Sequence, residues 1–152
     1  MLLDRRDVMP NLRYALAILV VGGLAGCKQQ PKSPYCPQGM GEVAARSEAG
    51  KNVWCETSDK VRAQWIEWYA GTTKPRQSCG FRALKPEGSF TAWHPDGKPW
   101  VQGQFAAGQK AGKWKQWDAS GNEVAEGDYN SGRLVAGAPV AGIALCEKMA
   151  RR

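Results

Sequence analysis

One histidine, five cysteines and a scatter of carboxylates are the groups in this 152-residue sequence whose types could do chemistry. His94 could serve as a general base, but it stands in the turn-forming stretch "HPDG" (His94–Gly97). The residue 24 positions on is Asp118, so the slot is a variable turn position. Glu67, Glu87, Asp96, Asp118, Glu123, Glu126 and Asp128 are dispersed without a defined pair and read as solvated surface acids. "GQKAGK" (Gly108–Lys113) lacks the spacing and the final Ser or Thr of a phosphate-binding loop. No HExxH, GxSxG, GxGxxG or CxxC motif occurs. The expectation is a chain that is not an enzyme, with no catalytic residue, no metal site and no cofactor.

The cysteines carry the remaining chemistry. "LRYALAILVVGGLAGC" places Arg13 before an apolar run that ends in small residues and Cys27. The run is shorter than the ~20 apolar residues of a membrane span. Leu24–Cys27 resembles the bacterial lipobox. That resemblance implies a signal peptide over residues 1–26, with Met9 as an alternative start, then cleavage before Cys27. It also implies diacylglycerol on the Cys27 sulfur and a further acyl chain, such as palmitate, on the new N-terminus. Lys28 rather than Asp follows, which by resemblance to Gram-negative sorting favours the outer membrane, facing the periplasm. Two or more acyl chains hold where one is marginal. Residues 27–35, polar and Pro-bearing, read as a lipidated flexible tether.

Without Cys27, four cysteines remain: Cys36, Cys55, Cys79 and Cys146. An oxidising compartment favours disulfides, and four cysteines allow three pairings. The favoured pairing is Cys36–Cys55, stapling an N-terminal cap over residues 36–60, and Cys79–Cys146, stapling a C-terminal segment over residues 135–152. Cys146 follows the short apolar stretch "AGIAL", which suits a segment lying on a sheet face. Removing the residues before Cys27 leaves 18 basic and 12 acidic residues and a net charge of +6. The charges are scattered, which reads as a solvated basic surface with some attraction to anionic lipid or cell-wall glycan.

The elements that must position these residues come from a repeated phrase. Residues 87–110 and 111–134 align at an offset of 24: Gly88 with Gly112, Phe90 with Trp114, Trp93 with Trp117, Gly97 with Gly121, Gly103 with Gly127, and Phe105 with Tyr129. Glycines and aromatics hold the pattern while most other residues vary, so backbone geometry and packing are what recur. "HPDG" and "DASGN" carry hairpin-turn residues. Val101–Phe105 and Ala125–Tyr129 alternate with a period of two, the mark of half-buried strands. Gly103 and Gly127 are expected to make room for a neighbouring aromatic ring, and Trp93, Trp114 and Trp117 are expected in the core. A worn copy lies upstream, with Trp65 and Trp68 at the spacing of Phe90 and Trp93, and Phe81 aligned with Phe105.

This grid of glycines and aromatics, over residues 61–134, resembles the MORN repeat, in the bacterial form found in YwqK-family antitoxin-like proteins and exported lipoproteins. The resemblance implies a mainly β fold: a single-layer antiparallel meander of about three stacked β-hairpin repeats, with disulfide-held N- and C-terminal caps. It implies a non-catalytic binding or structural module. The partners expected are the membrane, through the lipid anchor, and a protein of the envelope. Anionic lipid, cell-wall glycan, or a toxin bound by an antitoxin or immunity-like protein are the alternatives. Nucleic acid is not expected.

Overall fold

In the computed structural model the described residues are 34–140 and Cys146. Cys27, the signal peptide and most of the tether lie outside them. The fold is one nine-stranded antiparallel sheet whose spatial order follows the chain, a meander that does not close. Its strands are β1 (Gly41–Glu42), β2 (Asn52–Glu56), β3 (Arg62–Trp68), β4 (Pro75–Arg82), β5 (Lys85–Trp93), β6 (Pro99–Ala106), β7 (Gln109–Trp117), β8 (Glu123–Asn130) and β9 (Arg133–Gly137). A 3₁₀ turn, Ala44–Arg46, precedes β2. No helix among the described residues is long and apolar enough to cross a membrane.

The sheet is wider than the 61–134 expected from the aligned phrases. β2, expected in a separate cap, pairs along its length with β3, from Asn52 opposite Glu67 to Glu56 opposite Ala63. β9 runs past Leu134 to Gly137 against β8. A strand carries unpaired N–H and C=O groups on each side, and an adjacent extended segment satisfies them whatever its side chains.

Alternation sorts the side chains onto two faces. The inner face holds the core: Trp54, Ala63, Trp65, Cys79, Phe81, Phe90, Ala92, Val101, Phe105, Trp114 and Tyr129. Trp114 sits at the centre, fully buried. Its ring lies 5.1 Å edge-on to Phe105, 5.6 Å from Phe90 and 6.4 Å from Tyr129, separations at which aromatic pairs attract beyond the area they bury. Gly103 makes this possible. A β-carbon there would fall inside the Trp114 indole. At Gly127 the visitor is not a ring of the next copy, as expected, but the backbone of the C-terminal segment: the Ala138 carbonyl presses where a β-carbon would be, held by the bond from Ala138 N–H to Glu126 O at 2.8 Å.

Both disulfides are formed, Cys36–Cys55 and Cys79–Cys146, with Cα separations of 5.6 and 6.2 Å. They act on opposite faces. Cys79 belongs to the inner core, and its partner Cys146 is buried in that core with it. Val140 joins it there, donating its N–H to the Tyr129 hydroxyl at 3.0 Å and accepting from Lys110 Nζ at 3.1 Å. Cys55 and Val53 alternate with Trp54 and so face outward, yet both are buried, because the segment tied down by Cys36 covers them. With the partners 67 positions apart for Cys79–Cys146 and 19 for Cys36–Cys55, restriction of the unfolded chain is worth about 4 and about 3 kcal/mol.

The turns between β4 and β5, β6 and β7, and β8 and β9 share one backbone. Ala83–Leu84, Ala107–Gly108 and Ser131–Gly132 all have positive φ at both positions, the twist that a two-residue hairpin needs. Leu84 is the misfit, since a bulky residue is strained where glycine rests easily. Leu84→Gly is expected to raise stability by about 1 kcal/mol, because the side chain is 48 % exposed and little packing is lost. Gly103→Ala is expected to do the opposite and cost about 1–3 kcal/mol through overpacking against Trp114. Denaturant titration of the two variants checks both signs, and equal midpoints would count against the account.

Candidate functional site

The hairpins end in turns that are tied to one another. Tyr69, which follows Trp68, donates its hydroxyl to the Trp93 carbonyl at 2.6 Å. His94, which follows Trp93, reaches the Trp117 carbonyl with Nε2 at 3.0 Å. A carbonyl only accepts, so Nε2 carries the proton. Lys74 donates to Pro95 O at 3.2 Å, and Lys98, 24 residues on, donates to Ala119 O at 3.1 Å. His94 is thus a rung between neighbouring turns. Burial pushes the Tyr69 hydroxyl up from its ordinary range, so it remains a donor. The sequence hid these rungs because Tyr, His and Asp occupy one slot and look unrelated.

The carboxylates are likewise engaged locally. Glu67 accepts from Gln77 Nε2 at 2.7 Å, and Glu87 accepts the Ala107 N–H at 2.7 Å. The backbone N–H of Lys98 holds Asp96 below the usual carboxylate range, and that of Asn122 does the same for Asp118. No group of three or more His, Cys, Asp and Glu side chains among the described residues is placed to hold a metal ion.

The tryptophans divide. Trp65, Phe90 and Trp114 point to the core, and Trp68, Trp93 and Trp117 stand three residues further along their strands. An odd step along a strand changes face. Trp93 and Trp117, expected in the core, are therefore half-buried on the outer face. Each stands at a break in register, opposite Pro99 and Glu123, where the strand swings toward its turn. Trp68 is placed likewise, but Tyr35 packs edge-on against it at 5.0 Å. Beneath Tyr35 lies a cleft of about 160 Å³, walled also by Glu42, Asn52 and Val53.

The outer face of β5 to β8 is bare. Its side chains form two cross-strand rows. Thr91, Gln102, Lys115 and Glu126 lie opposite one another in sequence, and Ser89 pairs with Gln104 beside them. Ser89, Thr91, Gln102, Gln104, Lys113, Lys115 and Trp117 line an open trough of about 420 Å³. Ser89, Thr91, Gln102 and Gln104 make no side-chain hydrogen bond among the described residues. The basic members are committed: Lys113 reaches Glu126 at 2.7 Å, and Lys115 reaches Glu123 at 2.8 Å and Glu126 at 2.9 Å. This arrangement can stack a flat apolar ring face on Trp117 and exchange hydrogen bonds with a polar ligand above the hydroxyls and amides. It holds no nucleophile paired with a base.

The chain matches no protein-family model, no curated protein and no solved structure.

The Lys113 ammonium, and then that of Lys115, hold the Glu126 carboxyl down to about 2 from its ordinary 4.5. A depressed carboxylate stabilises the fold above its unfolded value, and that contribution is lost as pH falls through the folded one. The melting temperature is expected to drop as pH is lowered from about 4.5 toward about 2, and Glu126→Gln is expected to flatten that limb. Parallel acid limbs in the two proteins would remove Glu126 as their source.

Proposed function

We propose that this chain is an outer-membrane lipoprotein facing the periplasm, anchored through acylated Cys27. Residues 27–35 tether a non-catalytic binding module made of about three MORN-like repeats. Several recurrences support the repeats. The left-handed turns fall at residues 83–84, 107–108 and 131–132. The turn-to-turn bonds of Tyr69 and Lys74 return at His94 and Lys98. The register breaks beside Trp68, Trp93 and Trp117 are alike. A unit that recurs in backbone and turn contacts while its surface residues vary is a scaffold for presenting a surface.

The observation that carries the binding assignment is the uncovered outer face of β5 to β8, where hydroxyls, amides and a half-buried tryptophan are left without partners of their own. On the inner face, by contrast, the aromatic side chains are buried, with Val140 and Cys146 among them. A non-catalytic role fits side chains that are engaged in turns and ion pairs.

Acylation is tested directly. Cells expressing the protein and fed a clickable fatty acid should label it and retain it in the membrane fraction, and Cys27→Ser should abolish both. Labelling that survives the substitution would rule out the anchor.

A further inference from the structure

Resting on that reading of the sheet as a binding module, we infer that the outer face of β5–β7 binds the glycan strand of the cell wall. The ligand is an extended chain of β-linked, N-acetylated amino sugars laid across the strands. Trp93 and Trp117 occupy equivalent places on β5 and β7. Two strand spacings separate them, about 10 Å, the scale on which alternate sugars of an extended β-1,4-linked chain turn the same face to a surface. Trp68 continues the row on β3, but Tyr35 covers it, so the open row begins at Trp93.

The polar row runs parallel to the tryptophan row. Thr91 and Gln102 stand directly opposite each other, two residues along β5 from Trp93, or roughly 7 Å. A sugar stacked on Trp117 or Trp93 presents its hydroxyl and acetamido groups sideways, toward that row. A glutamine amide offers both a carbonyl acceptor and an N–H donor, the complement of an acetamido group. Thr91 and Ser89 hydroxyls serve ring hydroxyls in the same way. These side chains have no competing partner among the described residues, so a ligand displaces water and not an internal bond.

Charge favours this ligand over an anionic lipid. Around the trough, two ammonium groups, Lys113 and Lys115, stand among three carboxylates, Glu123, Glu126 and Asp128. The chain as a whole carries +7, but this face has no surplus positive charge for a phosphate headgroup. The side chains lining the trough from this face are Ser89, Thr91, Gln102, Gln104, Lys113, Lys115 and Trp117, with no Val, Leu, Ile or Met to enter a bilayer.

The full-length protein, purified in detergent, should sediment with isolated cell-wall sacculi. Chitotetraose should compete and should shift the tryptophan fluorescence. Phosphatidylglycerol vesicles should not compete. Trp117→Ala is expected to weaken sacculus binding about tenfold or more, the scale of losing one aromatic stacking platform. Gln102→Ala, at an exposed position, should weaken it several-fold with an unchanged melting curve, and it decides the matter alone if Trp117→Ala fails to fold. No sedimentation, sedimentation indifferent to Gln102→Ala, or competition by the vesicles would overturn the assignment. Neither readout depends on acylation. Failed sugar binding by an acylated protein overturns the glycan alone, and intact sugar binding with failed labelling overturns only the anchor.

Discussion

A lone sheet has two faces and no second layer to bury either of them. Water must be kept from one face or the strands are no more stable than isolated hairpins. Here that face is lined by Trp54, Trp65, Phe81, Phe90, Phe105, Trp114 and Tyr129, and it is dense because glycine at position 103 lets Trp114 lie flat on the backbone. What closes it at the C-terminal end, among the described residues, is Val140 and Cys146, both buried against it. These two residues are held there by the Cys79–Cys146 bond and the two hydrogen bonds at Val140. The rest of the sheet depends on that closure.

The second disulfide does the same work on the other side and at the other end. Cys36–Cys55 holds Tyr35 against Trp68 on the outward side of β2 and β3, where Val53 and Cys55 are buried. One staple thus covers the inner face and the other covers only the first part of the outer face. The outer face of β5–β8 is what remains, and its polar side chains suit contact with water or a polar ligand.

Rigidity of that face comes from the turns. At one end, rungs from Tyr69, Lys74, His94 and Lys98 join each turn to the next. At the other, the N–H groups of Ala83, Gly108 and Gly132 bond back to Val61, Pro86 and Lys110. Neighbouring hairpins are therefore fixed at both ends as well as along their strands, and the spacing of side chains across strands is set by the ladder and not by side-chain packing.

Much of this was legible in the sequence. Period-two alternation and turn residues at an offset of 24 announce hairpins, because both report local backbone geometry. The positions of Cys79 and Cys146 announced their bond, since one lies on the apolar face and the other follows an apolar stretch that needs a surface. Other features were decided only by the tertiary structure. Aromatic character alone placed Trp93 and Trp117 in the core, but a step of three from Phe90 and Trp114 puts them on the opposite face, and which face is sealed depends on where the two staples land. β2 and β9 joined the sheet because open strand edges recruit neighbouring backbone regardless of side chain. The Ala83–Leu84 turn carries no glycine to signal its left-handed backbone, and it is held in that conformation by the strands on either side.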